Sequence, residues 1–326
     1  MTTQAPLELT FQGQQRNDML MPLLQGRSTA EGVVIRPTPG PVDYFSDPRY
    51  RNGEFGILDA NWGDIIPTID QGWDVKCLPV FTKRKLAYTY VWVRADRGIN
   101  GPKDLEGKTF ATGFYEGAVA TFTRGFLHHF HGVDLAKLKW LVTTPKRFDV
   151  YNTRVQVEYA SGPRKGHVDR LLDGEVDACT SDITASKDWA ALESNPNVKR
   201  LFPNYQELNL QLYREHRICT PVHLILMGGK TYRDHPGLAR RVYDAFDRSR
   251  ALAYEDLLGD QPGLSGNLYS REAMRDQMRE WGDVWKGGIT ANRNTIAAFL
   301  DYTYEHGVTQ KRLTLDQVFA ADTLDT

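Results

Sequence analysis

Long apolar runs are missing from this sequence of 326 residues. No stretch approaches the roughly 18 consecutive apolar residues of a spanning helix. The opening residues, MTTQAPLELTFQGQQR, carry neither a basic region nor an apolar run of about 7–15 residues, so no secretory signal is read there. Cysteine is scarce: Cys77, Cys179 and Cys219 are widely spaced and odd in number. Such a set argues against a disulfide framework and fits a reducing compartment. No Cys/His pairing motif accompanies them, so structural thiols and a cytoplasmic location are expected. Charge of one sign is also missing. Forty basic against forty-one acidic side chains leave a formal charge of -1, which excludes a broad basic field for nucleic acid or an anionic membrane surface. Any anion must be recognised locally. Internal repeats and low-complexity tracts are absent as well.

What is present is ordinary for a soluble globular chain, with 41% hydrophobic and 25% charged residues. The length exceeds the roughly 250–300 residues at which a single core stops growing, so two lobes are expected.

The chain is organised around Pro79 to Gly113. Tyr88 to Val93 is rich in the β-branched and aromatic residues that strands favour. A charged turn and PKDLEGK at 102–108 follow, then a short strand over 109–112 and a helix over 116–130. Before this stretch, strands are expected over 7–11, 33–36 and 55–58, the last delivering Asp59 and Asn61. A short helix is expected over 65–71. After it come strands over 139–142 and 154–157, a helix over 164–172, and a buried strand that delivers Ser181 and Asp182 at its carboxyl end. Ligands of open α/β sheets sit at that end. An apolar strand over 221–227, a helix-start signal at Asp234-His235-Pro236 and a long amphipathic helix over 238–257 follow. Helices over 270–281 and 292–304 close the pattern, with a capping box at Thr314–Gln317. Strands alternating with helices make the fold class α/β.

Several blocks together resemble the 4,5-dihydroxyphthalate decarboxylase family. They are PVF at 79–81, PKDLEGK at 102–108, RGFL at 124–127, GEVDA at 174–178, LFPNY at 201–205, His223 before an apolar strand, ANRNTIAAFL at 291–300 and RLTLDQVFA at 312–320. The resemblance implies a two-lobed, type II periplasmic-binding-protein-like fold with the ligand cleft between lobes. Lobe 1 would comprise 1–95 plus 220–326, and lobe 2 would comprise 96–219. It further implies a decarboxylase of a hydroxylated aromatic acid that needs no cofactor. The sequence departs from the family pattern after PVF, where Arg84 is kept but Ala87 and Tyr88 replace Arg and His. Near the start only Arg16 of a Tyr-Asp-Arg-like motif remains, and Tyr115, Glu116, Gly117 and Ala118 replace a Tyr-Gln-Met-Thr-like segment.

Losing CO₂ from an arenecarboxylate without a cofactor requires an acid near the ring carbon, an acceptor for the donating hydroxyl, and cations for carboxylates. Arg16 and Arg84 are the candidate carboxylate clamps, although each also reads as a surface arginine lying over apolar neighbours. His223, Tyr88 and Asp59 are the catalytic candidates, with His223 as proton donor or relay. Tyr115, Glu116, Ser181 and Asp182 are candidate substrate contacts. Packing, turn and cap roles stand beside each of these assignments. Trp281, Trp285 and Lys286 read either as a pocket cap or as packing. HHFH at 128–131 does not converge on one metal, because i, i+1 and i+3 on a helix face apart, so no metal is expected. GGK at 228–230 lacks the first half of a phosphate loop. The expected partner is a small aromatic carboxylate, and a homo-oligomer is expected from chain size. Two other functions stay open: a non-catalytic small-anion binding protein, and a divergent biosynthetic lyase on the same scaffold.

Overall fold

The computed structural model describes residues 5–13, 18–40, 42–161, 165–182, 186–259 and 267–326. The chain forms two compact units. The first comprises Met1–Arg84, His223–Arg293 and Thr314–Thr326, and the second comprises Lys85–Val222 and Asn294–Leu313. This division differs from the expected boundaries in three places, the smallest being the end of the second unit's first segment at Val222 rather than 219. Val91–Arg94 pairs antiparallel with Ala178–Thr180, which puts the chain in the second unit before residue 96. Asn294–Leu313 joins that unit too, because Phe299 packs on Phe122 and the Tyr115 hydroxyl donates to the His306 carbonyl.

Among the described residues, the first unit's sheet runs Val33–Pro39, Leu7–Gly13, Ile57–Asn61, Pro221–Gly228, Val75–Arg84. The first three strands are parallel, and Pro221–Gly228 is antiparallel to Ile57–Asn61. Alternation along LELTFQG buries Leu9 and Phe11 on one face, as period-two side chains require. Those residues meet Leu238, Val242 and Phe246 of the long helix Leu238–Leu258, with Phe11 edge-on to Phe246 at 5.5 Å. The ten-residue strand Val75–Arg84 was not among the expected strands. Its Pro79 hides it from pattern reading, but the strand lies at the sheet edge, where a missing N–H is tolerated. The Pro79 carbonyl accepts from Gly288 N, and Ala320 N donates to Cys77. Gly228 of the GGK run lies where a Cβ would fall 2.4 Å from the Gly53 carbonyl, so close backbone approach explains it. The signal at Asp234 ends one helix, Gly229–Asp234, rather than starting the next; Leu238–Leu258 begins after Gly237 at φ 74°.

Among the described residues, the second unit's sheet runs Val198–Arg200, Val91–Arg94, Ala178–Thr180, Thr109–Thr112, Lys139–Val142, Gln156–Tyr159. The last four are parallel, and Val198–Arg200 is antiparallel to Val91–Arg94. The strand expected over 88–93 is split into a 3₁₀ turn, Ala87–Tyr90, and the strand Val91–Arg94. The turn buries the Tyr88 ring against Phe126 and Phe202. Helices Ser186–Ser194 and Tyr205–His216 were not anticipated. Each buries little apolar surface, Leu192 in one and Leu212 in the other, so neither shows a strong stripe. The helix expected from 164 is described as His167–Leu172, and residue 164 lies outside the described residues.

Gly125 lets the helix Ala118–His129 approach Tyr302, whose ring would lie 2.2 Å from an added Cβ. Gly125→Ala is therefore expected to destabilise the protein by about 1–3 kcal/mol despite better helix propensity. Urea unfolding checks this.

All three cysteines are free and buried, and burial pushes the Cys77 and Cys179 thiols well above their ordinary range. A thiol reagent is expected to leave the folded protein unmodified and to react with three sites once it is unfolded.

Burial also lowers the pKa of His131, His167 and His306. These rings are neutral in the fold, and the unfolded chain binds their protons near pH 6.5. Stability therefore falls as pH drops below about 6.5, since the unfolded state takes up more protons. Carboxylates held low, such as Glu106 at about 2, lose their contribution only below about pH 4.5. Urea midpoints are expected to decline between pH 7 and 5, with a smaller decline in His306→Phe.

Candidate active site

The strand Ile57–Asn61 pairs with Pro221–Gly228 in a register that sets His223 opposite Asn61 and Ile225 opposite Asp59. Asp59 and His223 thus share one sheet face. Asp59 Oδ1 accepts from the Thr82 hydroxyl at 2.6 Å and lies 3.2 Å from His223 Nδ1. A carboxylate only accepts, so Nδ1 carries the proton and Nε2 is the nitrogen left for proton transfer. The Asp59 side chain is 6% exposed and that of His223 15%, which leaves the imidazole the more accessible of the pair. Gly13 packs against the Asp59 backbone and Cβ: its φ is +122°, and an added Cβ would lie 2.7 Å from the Asp59 Cβ. Asn61 is spent on a cap, its Oδ1 accepting from Gly63 N at the start of helix Trp62–Asp70.

Arg84 ends the strand that carries Thr82, two residues on and therefore on the same face. Its Nη2 donates to Asn292 Oδ1 at 2.7 Å, and its guanidinium lies 5.2 Å from the Phe81 ring centre. Asn292 Nδ2 donates to the carbonyls of Lys286 and Gly288, which fixes the amide with its oxygen toward Arg84. Trp285 packs against the cluster of Met19, Ala253, Tyr254 and Leu257. It also lines a cavity of about 20 Å³ beside Phe81 and Thr82, room for about one water.

In the second unit, Ser181 and Asp182 follow the strand Ala178–Thr180, at its carboxyl end as expected. Ser181 is buried, and both its N and Oγ donate to the Tyr90 carbonyl. The Asp182 carbonyl accepts from Lys85 Nζ, which lies 5.4 Å from the Tyr90 ring centre. The helix His167–Leu172 crosses over between the parallel strands Gln156–Tyr159 and Ala178–Thr180. Its start therefore belongs at the carboxyl edge of the sheet. His167 there is 6% exposed with Nε2 lacking a hydrogen-bond partner, and the charge of Asp182 opposes the effect of burial on its ring.

One catalytic candidate, Tyr88, and two expected contacts, Tyr115 and Glu116, are occupied within the fold. The Tyr88 hydroxyl lies 3.0 Å from His131 Nε2, and burial raises its pKa, so no free hydroxyl faces a ligand. Tyr115 is 2% exposed; its hydroxyl donates to the His306 carbonyl and its ring carries Arg124 at 3.9 Å. Glu116 is buried in an ion pair with Arg147, which also stacks 3.9 Å over Phe114. Arg16 lies outside the described residues. Asp59 and His223 come together with Thr82, and Arg84 shares their sheet. Ser181 and Asp182 come together with Lys85.

Pattern reading missed Thr82, Lys85, Arg147, His167 and Asn292. Only Asn292 carried a signal, its place in ANRN. The HHFH side chains diverge: His128 Nδ1 lies at the Val133 carbonyl, His129 Nε2 at Glu305 and His131 Nε2 at Tyr88. Among the described residues, no group of three or more His, Cys, Asp or Glu is placed to hold a metal ion. No described helix is long and apolar enough to cross a membrane.

No protein-family model matches the chain. The chain is 25% identical over 322 residues to a 4,5-dihydroxyphthalate decarboxylase of Comamonas testosteroni, covering 94% of this chain and 95% of that protein. It is similar in structure to the periplasmic aliphatic sulphonate binding protein SsuA of Escherichia coli, at TM-score 0.55 and 14% identity, covering 97% and 92% of the two chains. The desulfurization enzyme DSZB matches at TM-score 0.50 and 13% identity, covering 98% of each chain. The resemblance to 4,5-dihydroxyphthalate decarboxylases thus holds along nearly the whole chain. The fold is the two-lobed, mixed α/β fold of SsuA-type periplasmic binding proteins.

Proposed function

We propose that the protein is a decarboxylase of a hydroxylated aromatic carboxylic acid such as 4,5-dihydroxyphthalate, working without a cofactor in the cleft between lobes that the resemblance implies. The Asp59–His223 pair is the observation that carries this reading. A carboxylate that fixes the imidazole tautomer and stabilises the imidazolium suits a proton donor. As the imidazolium, with Nδ1–H on Asp59, His223 gives its Nε2 proton to the ring carbon that bears the carboxylate, while electron density from the ring hydroxyl supports the new C–H bond. The ring–carboxylate bond then breaks, its electron pair returns to the ring, and CO₂ leaves. Solvent restores the proton on His223.

Arg84, held by Asn292, grips one carboxylate, and Arg16 serves the second. Asp182 receives the donating hydroxyl, and Ser181 positions that strand end through its bonds to the Tyr90 carbonyl. Tyr88, Tyr115 and Glu116 shape the walls through their internal partners rather than touching substrate. The rival reading is a binding module, favoured by the fold shared with SsuA. CO₂ release with mass detection of the product, from dihydroxyphthalates, hydroxybenzoates and aminobenzoates, separates them. Release from one compound supports the decarboxylase. A thermal shift from the same compounds with no release sinks it in favour of the binder.

A further inference from the structure

The helix Ser270–Trp281 in the first unit has no buried residue among its 12. Its inner stripe, Met274 and Met278, rests on the cluster of Ala253, Tyr254 and Leu257. The opposite stripe carries Glu272, Asp276 and Arg279, with Arg275 beside it, and all four are exposed. Asp276 and Arg279 meet at 2.5 Å while both stay open to solvent. Just before the helix, Leu268 is 93% exposed and Tyr269 73%, the most of any large apolar side chain among the described residues. Two adjacent apolar side chains standing out at the end of a charged stripe mark an interaction surface.

The order of charges on this helix says what covers it. They run Arg271-Glu272, Arg275-Asp276, Arg279-Glu280. Turned end for end about an axis between residues 275 and 276, the series is its own complement. Glu272 falls opposite Arg279, Arg275 opposite Asp276 and Arg271 opposite Glu280. A two-fold contact between antiparallel helices uses such a pattern, because each residue then meets its mate twice. An in-register parallel pairing would instead set like charges together, which is costly. The same axis sets Tyr269 opposite Gly282, which follows the helix at φ 66° and has nothing within 4 Å of where a Cβ would stand. A ring on one copy can lie over bare backbone on the other, and this contact fixes the register.

We propose that this face binds a second copy of the chain, helix against antiparallel helix, with Glu272 on the partner's Arg279 and Tyr269 over the partner's Gly282. Exposed ion pairs contribute little each. One helix and two apolar side chains also belong at the low end of specific interfaces, below about 1,200 Å². The dimer is therefore weak and salt-dependent. Sedimentation equilibrium of the full chain is expected to give a monomer–dimer Kd of about 10–100 µM at low salt. Raising the salt to about 0.5 M is expected to weaken it several-fold by screening. Glu272→Arg and Arg279→Glu each set like charges opposite one another twice, and each is expected to weaken the dimer by more than about tenfold. The decisive arm mixes the two variants in equal amounts. One then supplies two cations and the other two carboxylates, so the mixture is expected to dimerise at least as tightly as the parent. Circular dichroism checks that both variants, altered only at exposed positions, keep their helices. A parent that stays monomeric at about 200 µM overturns the proposal. So does a dimer that both substitutions leave intact, which would use another face, or a mixture that stays monomeric.

Discussion

His223→Gln is expected to lower kcat on the decarboxylated substrate by about 10²–10⁴-fold, the usual contribution of a positioned proton donor. Glutamine keeps an N–H that can donate to Asp59 Oδ1, so the strand pairing and the Thr82–Asp59 bond persist. What it lacks is a titratable proton. Substrate affinity, read by thermal shift or calorimetry, is expected to stay within about threefold, because the imidazole is assigned to the transition state rather than to ground-state binding. Asp59→Asn should also lower kcat, since an amide presented to Nδ1 favours the other tautomer. A His223→Gln enzyme with near-normal kcat would sink the assignment. His167, buried at the carboxyl edge of the other sheet with an unpartnered Nε2, would become the next proton donor to examine.

Much of the scaffold was legible because short apolar strands and capped helices carry local signals. Thr109–Thr112, Lys139–Val142 and Ser270–Trp281 form over the residues that periodicity marks. The capping box at Thr314 forms as the spacing predicts. Asp59 and His223 were legible as polar residues at strand ends, but their mutual contact was not. It depends on the antiparallel return strand, a tertiary fact. Tyr88 and Tyr115 misled for a physical reason: an aromatic ring with a polar tip reads equally as a pocket residue or as a core residue with an internal partner. Both take the second course here. The return of Asn294–Leu313 to the second unit rests on the fit of Phe299 and Tyr302 against Phe122 and Phe126, which no local pattern encodes. Thr82 and Asn292 act on Asp59 and Arg84 from 23 and 208 residues away in sequence, so only the fold reveals them.

Arg84→Gln is expected to reduce kcat/KM by roughly 10²-fold, mostly through KM, since losing charged hydrogen bonds to a carboxylate costs about 1.5–3 kcal/mol. Arg84→Lys should recover little of this, because an ammonium cannot reproduce the planar fork that meets two carboxylate oxygens. Asn292 gives the experiment its internal control. Its Nδ2 is anchored on the carbonyls of Lys286 and Gly288, so its oxygen is held against Nη2 of the guanidinium. Asn292→Ala should therefore raise KM by about tenfold through loss of orientation, with kcat little changed. If Arg84 merely lay on Phe81 as a surface cation, neither substitution would move KM. A double variant separates the two roles: once Arg84 is glutamine, removing Asn292 should cost nothing further, because the residue it positions is gone. An additive loss would mean that Asn292 acts on the substrate by another route.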